Sequence, residues 1–289
     1  MKPVLRFAPS PNGELHLGHA FSALLNYDLA RQWGGRLLLR IEDIDTTRCT
    51  PEFEAGIYRD LEWLGIEWEA PVRRQSEHFD AYRTALDRLI ADGLVYPAFM
   101  SRGEIRAHIV EAEAKGQAWP RDPEGAPLYP GQDKQLSQKE RAARISNGKP
   151  FAWRLDVGGI TTNADWVEFG PVTGDKKGIA AEPNAWGDVI VARSDIPTSY
   201  HLAVTLDDAL QAVTHIVRGQ DLYLATSVHR LLQTLLGLPE PIYHHHKLIL
   251  GADGRKLAKS EKSAGLRSLR EAGVTPEQIR EMVGLNPAA

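Results

Sequence analysis

Residues 4–42 read VLRFAPSPNGELHLGHAFSALLNYDLARQWGGRLLLRIE. Residues 4–8 make a short apolar strand, ended by the Pro-Ser-Pro-Asn-Gly turn of residues 9–13. From 17 to 33, apolar residues recur at helical spacing (Ala20, Leu24, Leu25, Leu29), and Gly34-Gly35 supplies a stop. Residues 36–42, RLLLRIE, form a second buried strand. Working outward, Thr50-Pro51-Glu52 starts a further helix with a cap, a proline at the first position and an acid, and that helix runs to Gly65. Another spans 76–93, with Phe79, Leu86, Leu89 and Ile90 on one face. Strand, helix, strand, helix with short loops predicts an α/β fold, a Rossmann-like, doubly wound parallel sheet.

Beyond this first half (residues 1–95) the pattern changes. Residues 96–187 form a mixed α+β insertion, with helices over 104–115 and 138–146 and strands over 151–157 and 166–169. The Pro- and Gly-rich stretch 116–135 has no periodicity and is expected as an ordered loop or lid. Strand character returns at 188–193 and 213–218, followed by a helix over 222–236 that stops at Gly237, so 188–240 make the second half of the sheet domain. The strand 213–218 opens into Gly219-Gln220-Asp221, and in open α/β sheets the C-terminal strand ends are where ligands sit. Residues 241–289 are expected to carry a hairpin around Ala252-Asp253-Gly254 and a short helical tail.

Composition excludes several classes. Of 289 residues, 43% are apolar and 25% charged, which rules against collagen, coiled coil and disorder. Thirty-four basic against 38 acidic residues give a net charge of −4, so nucleic acid would have to meet a local basic face on an acidic body. No apolar run reaches the roughly 18 residues of a membrane span, and Pro and Arg break up the opening residues, so no signal peptide is expected. Cys49 is the only cysteine, which excludes internal disulfides and multi-cysteine metal sites. A cytoplasmic enzyme or binding protein of undetermined oligomeric state is the expectation.

Two short motifs bracket the interrupted sheet. His16-Leu17-Gly18-His19 follows a strand and turn at the mouth of a helix, where unpaired N–H groups and the dipole favour phosphate. Lys256-Leu257-Ala258-Lys259-Ser260 places two lysines three apart, suited to charge on a transferring phosphate. Alone, the first reads as two surface histidines and the second as a solvated face. Together, in this order and around this sheet, they resemble the class I aminoacyl-tRNA synthetases. The blocks Arg6-Phe7-Ala8-Pro9-Ser10-Pro11-Asn12-Gly13, Arg40-Ile41-Glu42-Asp43, Pro197-Thr198-Ser199-Tyr200-His201-Leu202-Ala203 and Val213-Thr214-His215-Ile216-Val217-Arg218-Gly219 are similar to the glutamyl/glutaminyl branch. The resemblance covers essentially the whole chain.

That resemblance implies a ligase that activates L-glutamate with ATP and Mg²⁺. It assigns glutamate binding to Arg6, Ala8, Ser10, Glu42, Tyr200 and Arg218, with Arg218 at the side-chain carboxylate and Glu42 at the α-ammonium. Arginine suits planar, bidentate carboxylate recognition. It assigns ATP to His16, Gly18, His19, Asp221 and Lys259, and catalysis to His16, His19, Lys256 and Lys259. Ala258 departs from the usual lysine motif by removing a hydroxyl.

Two further expectations follow from that comparison. About 29 residues follow the lysine motif, too few for an anticodon-reading domain. This matches the branch's catalytic-core paralogues, the glutamyl-Q tRNA(Asp) synthetases, which attach glutamate to the queuosine base of tRNA(Asp). The alternatives are a truncated enzyme that charges the tRNA 3′ end, a non-catalytic binder of adenylate or tRNA, and an adenylylating enzyme for another small acid. Many relatives hold structural zinc through cysteines, but Ala98, Met100 and Asp133 stand where thiolates would be and only Tyr129 remains, so zinc is expected to be absent. The His244-His245-His246 run does not read as a metal site, because neighbours on a strand alternate faces. Arg73-Arg74, Lys176-Lys177, Arg267 and Arg270 are basic spots within reach of phosphates, and Trp119, Trp153, Trp166 and Trp186 are expected in the core.

Overall fold

The computed structural model describes residues 2–162, 164–171, 173–250 and 265–285. Strand β1 (Val4–Phe7) is buried throughout and leads through α1 (Leu17–Gln32) to the parallel strand β2 (Arg36–Ile41), which is buried except at Arg36. Continuous burial of this kind marks strands covered on both faces. Helix α2 (Pro51–Trp63), capped by Thr50, crosses to β3 (Glu69–Arg74), parallel to β2 at the edge.

Helix α3 (Phe79–Ala91) leads to β4 (Val95–Ala98), and Ser-capped helices α4 (Arg102–Ala114) and α5 (Gln138–Ser146) follow. Strands β5 (Ala152–Leu155), β6 (Trp166–Phe169), β7 (Lys176–Ile179) and β8 (Ile190–Arg193) come next, then α6 (Tyr200–Leu210). Strand β9 (His215–Gly219), helix α7 (Thr226–Leu236) and strand β10 (Ile242–His246) make another parallel crossover. Helices α8 (Leu266–Glu271) and α9 (Pro276–Val283) close the described chain. Ile279 and Val283 of α9 bury into the core shared with Leu5, Leu24 and Ile41, and Arg280 pairs with Asp28 of α1.

Among the described residues the strands form three sheets, ordered β1-β2-β3, β7-β6-β10-β9 and β4-β5-β8. The first two abut along a seam: the Val4 amide donates to Thr214 Oγ1 at 2.8 Å, and the Thr214 amide to the Val4 carbonyl at 3.0 Å. From that seam the strand order runs outward both ways, the switch point at which open α/β sheets bind ligands. The expected fold class is therefore the observed one.

Sheet membership does not follow the segment limits expected from sequence. Strands β6 and β7, within 96–187, extend the β9–β10 sheet, where Trp166 and Phe169 bury their rings. Strand β8, within 188–240, pairs antiparallel with β5, with Val191 and Ala192 packed in the same core as Leu155. The expected hairpin around Ala252-Asp253-Gly254 lies outside the described residues.

Candidate active site

A cavity of about 620 Å³ opens at the C-terminal ends of β1 and β9 and at the mouth of α1. Its walls bring together Arg6, Ala8, Ser10 and Glu42 from the first half and Tyr200, Arg218 and Asp221 from the second. His16, Gly18 and His19 close one side. Lys256 and Lys259 lie outside the described residues.

The two histidines form the cap of α1. The Gly18 amide donates to His16 Nδ1 and the His16 amide to His19 Nδ1, both at 3.1 Å. A ring nitrogen that accepts an N–H carries no proton, so each imidazole holds its hydrogen on Nε2. The rings stack with centroids 3.8 Å apart. Gly18 leaves room for the fold-back of His16: a Cβ there would stand 3.0 Å from His16 Cε1, and the ring would have to give by a few tenths of an ångström. At Gly219 a Cβ would meet the Asp221 carboxylate at 2.3 Å, so that side chain would have to swing aside.

Arg6 and Glu42 do not pair with each other. Arg6 Nε donates to Asp208 at 3.1 Å and its Nη1 to the Val217 carbonyl at 3.3 Å. Glu42 accepts from Arg40 at 3.1 Å, and Arg40 also reaches Asp208 at 2.8 Å. Burial pushes the Glu42 carboxyl up, and Arg40 and Arg6 only partly offset it, so its pKa stays above the usual carboxylate range. Burial opposes Asp208 ionisation too, but there Arg40 and Arg6 outweigh it and hold the pKa low.

Arg218 is buried and spreads its donors over four partners, His245, His229, Thr226 and the Leu222 carbonyl. Tyr200 is pushed up to about 12 by burial and by the neighbouring Glu42, so it stays a phenol. Tyr200 also lines a second cavity of about 670 Å³, between α6 and the β4-β5-β8 sheet, together with Trp186, Arg154 and His201.

Sequence reasoning missed the supports: Arg40, Asp207 and Asp208. It noted the histidine run without giving it a task. On β10, His244 contacts the Phe169 carbonyl, His245 joins Glu168 to Arg218, and His246 lines the first cavity. Most basic spots are paired: Arg73 with Asp207, Arg74 with Glu54, Arg267 with Glu271 and Arg270 with Asp60. Trp166 and Trp186 are buried, whereas Trp119 and Trp153 are half-buried.

Among the described residues, no group of three or more His, Cys, Asp or Glu side chains is arranged to hold a metal. Where relatives were expected to place thiolates, the buried Asp133 accepts from the Phe99 amide at 2.9 Å, from Tyr129 and from Arg144 at 3.3 Å. Phe99 packs against Phe151. No described helix is long and apolar enough to cross a membrane.

A strand-end cavity at the switch point of a parallel sheet, with imidazole donors at the first helix mouth, defines a nucleotide-handling α/β enzyme of the class I synthetase type. The chain belongs to that family: the model of the class I tRNA synthetase catalytic domain (E and Q) matches residues 3–286. It is a ligase. It is 45% identical to the glutamyl-Q tRNA(Asp) synthetase of Rhodobacter capsulatus, over 98% of this chain and 100% of that one. It is 38% identical to the glutamate–tRNA ligase of Aquifex aeolicus, over 96% of this chain but 56% of that one. Among solved structures, a glutamate tRNA ligase from Elizabethkingia meningosepticum, in complex with its amino acid, superimposes with a TM-score of 0.78. The identity there is 28%, covering 98% of this chain and 60% of that one.

Proposed function

We propose that the chain activates L-glutamate with ATP and transfers the glutamyl group to the queuosine base in the anticodon loop of tRNA(Asp). The observation that carries this reading is the convergence of Arg6, Glu42, Tyr200 and Arg218 with the His16–His19 cap on one cavity. The full-length similarity to the Rhodobacter enzyme favours the queuosine acceptor over the tRNA 3′ end.

In this mechanism Arg218 receives the side-chain carboxylate of glutamate, and Glu42 pairs with the α-ammonium. Ala8 and Ser10 border the amino acid, Arg6 faces the α-carboxylate, and the Tyr200 hydroxyl adds a hydrogen bond. The α-carboxylate attacks the α-phosphorus of ATP in line, and pyrophosphate leaves. His16 and His19 donate from Nε2 to the phosphates, while Gly18 and Asp221 lie beside the adenosine. Lys256 and Lys259 are assigned to the transition-state charge. An acceptor hydroxyl then attacks the glutamyl carbonyl and AMP leaves. The protein supplies position and charge rather than a covalent nucleophile. Magnesium, when it enters with ATP, would be held chiefly by phosphate oxygens and water and would neutralise the leaving pyrophosphate.

The test uses radiolabelled glutamate, ATP and two bulk tRNA pools, one from cells that make queuosine and one from cells that cannot. Label retained only with the first pool, and resistant to periodate treatment of the 3′ terminus, is the expected result. Equal labelling of both pools, abolished by periodate, sinks the queuosine assignment and leaves a 3′-charging enzyme.

A further inference from the structure

Four side chains outside the roles above form one hydrogen-bond chain through Arg218. His245 Nδ1 lies 2.9 Å from Glu168 Oε2, and Arg218 Nε lies 3.1 Å from His245 Nε2. On its far side, Arg218 Nη1 lies 3.0 Å from His229 Nδ1, and His229 Nε2 lies 3.0 Å from His201 Nδ1. Arginine donates and never accepts. His245 must therefore accept at Nε2 and carry its proton on Nδ1, towards Glu168. His229 must accept at Nδ1 and donate from Nε2 to His201, whose own proton is then on Nε2. His201 lines the second cavity and Arg218 the first, so the chain links the two.

We propose that His245 and His229 are positioning residues for Arg218, two neutral imidazoles that each take one of its N–H groups, and that the proton order they impose ends in an N–H donor on His201 at the second cavity. The donor inventory shows what this achieves. Nη2 is taken up by Thr226 Oγ1 at 2.8 Å and by the Leu222 carbonyl at 3.3 Å. With Nε and one Nη1 hydrogen on imidazoles, one Nη1 hydrogen is left for substrate. Both imidazole nitrogens that face the guanidinium are occupied as acceptors. A carboxylate meets a fixed cation and a donor, whereas the NH₂ of an amide finds neither imidazole able to accept from it. The two rings thus sharpen selection of glutamate against glutamine. The same order makes His201 a donor, not a general base, towards anything bound in the second cavity. Burial favours this arrangement: it pushes His201 down to about 4 and His229 well below the ordinary imidazole value, with the Arg218 charge acting in the same direction.

The selectivity part rests on the glutamate reading, so the test has two independent arms. In the first, histidine-labelled protein is examined by long-range proton–nitrogen correlation, with H201Q, H229Q and H245Q assigning the signals. Nδ1–H on His245 and Nε2–H on His229 and His201 is expected, and a cationic or Nδ1–H His229 at neutral pH overturns the proposal. In the second, glutamate-dependent pyrophosphate exchange is measured for H229L and H229Q. Loss of one charge-assisted contact should raise KM for glutamate about tenfold in H229L, with a smaller effect on kcat. H229Q, which can accept from Arg218 and donate to His201, should restore most of that loss. Equal KM in wild type and H229L, or equal defects in both variants, overturns the positioning role. The H229Q arm and the tautomers stand even where H229L fails to fold. Absence of exchange in the wild type would instead refute the glutamate reading and leave the tautomer result intact.

Discussion

Glu42 is the residue whose ionisation should be visible in binding. Its carboxyl is largely buried with Arg40 as its hydrogen-bonding cation, and its pKa is raised because burial outweighs Arg40 and Arg6. A bound α-ammonium stabilises the ionised form, so glutamate binds the deprotonated site more tightly. The sign follows from linkage: as pH falls through the raised pKa of Glu42, KM for glutamate should rise. Pyrophosphate exchange from alkaline to mildly acid pH measures it, and a flat profile would remove Glu42 from the ammonium site. Glu42→Gln should abolish the pH dependence and raise KM on the order of a hundredfold, as expected for losing about 2–3 kcal/mol of charged hydrogen bonding. Gly18→Ala tests the phosphate side. Its Cβ would crowd His16 Cε1 at 3.0 Å and Nδ1 at 3.1 Å, so the ring must give by a few tenths of an ångström and its cap bond is weakened. A weakened cap should cost at most about 1 kcal/mol of stability, with KM for ATP rising more than KM for glutamate. Thermal melting and exchange at limiting ATP read the two effects separately.

At the scale of elements, what was legible depended on contrast. Strands β1 and β2 were legible as apolar runs, and α2 through its Thr50-Pro51 start. Helix α6 gave no stripe, because residues 202–208 are all buried, including Thr205, Asp207 and Asp208. Edge strands gave the opposite problem: β3 (EAPVRR) and β7 (KKGI) are largely exposed and too polar to alternate. The same limit applied to the site. The residues that line the cavity sit in short local motifs, but Asp208 is 168 positions from Arg40, and no local pattern announces that contact. The tail helix shows what a local cap can and cannot tell. Thr275 caps α9 within its own segment, whereas docking of the helix brings Arg280 to Asp28, 252 positions away, through two bonds of 2.7 and 2.8 Å. Arg280→Ala should therefore destabilise the protein by about 2 kcal/mol, read as a lower urea midpoint. A change under a few tenths would mean that Ile279 and Val283 hold the helix alone.

The whole molecule is held in working order at one seam. The first half contributes Arg6, the histidine cap and Glu42, the second Tyr200 and Arg218, and the seam bonds join Val4 of β1 to Thr214, the residue just before β9. Charge supplies much of the remaining tie. Asp208 takes Arg6 and Arg40, and Asp207 takes Arg73, Gln75 and Tyr82, all from the first half. Asn26 of α1 also donates to the Val217 carbonyl on β9 at 3.1 Å. Removing Asp208 would take from Arg6 its carboxylate partner and leave the fully buried Arg40 with Glu42, Gln211 and Asp207, and breaking a buried ion pair costs about 3–5 kcal/mol. Asp208→Asn should show a smaller part of that loss, because an amide can still accept. The pH course distinguishes electrostatic tie from packing. The Asp208 pKa is lowered in the folded state, so its contribution is present above the unfolded pKa and is lost as pH falls through the folded one. Urea midpoints taken from neutral to strongly acid pH should therefore start apart for wild type and Asp208→Asn and converge on acidification. Two parallel curves would mean that the halves are aligned by apolar packing across the seam, and that the buried carboxylates only neutralise the arginines they face.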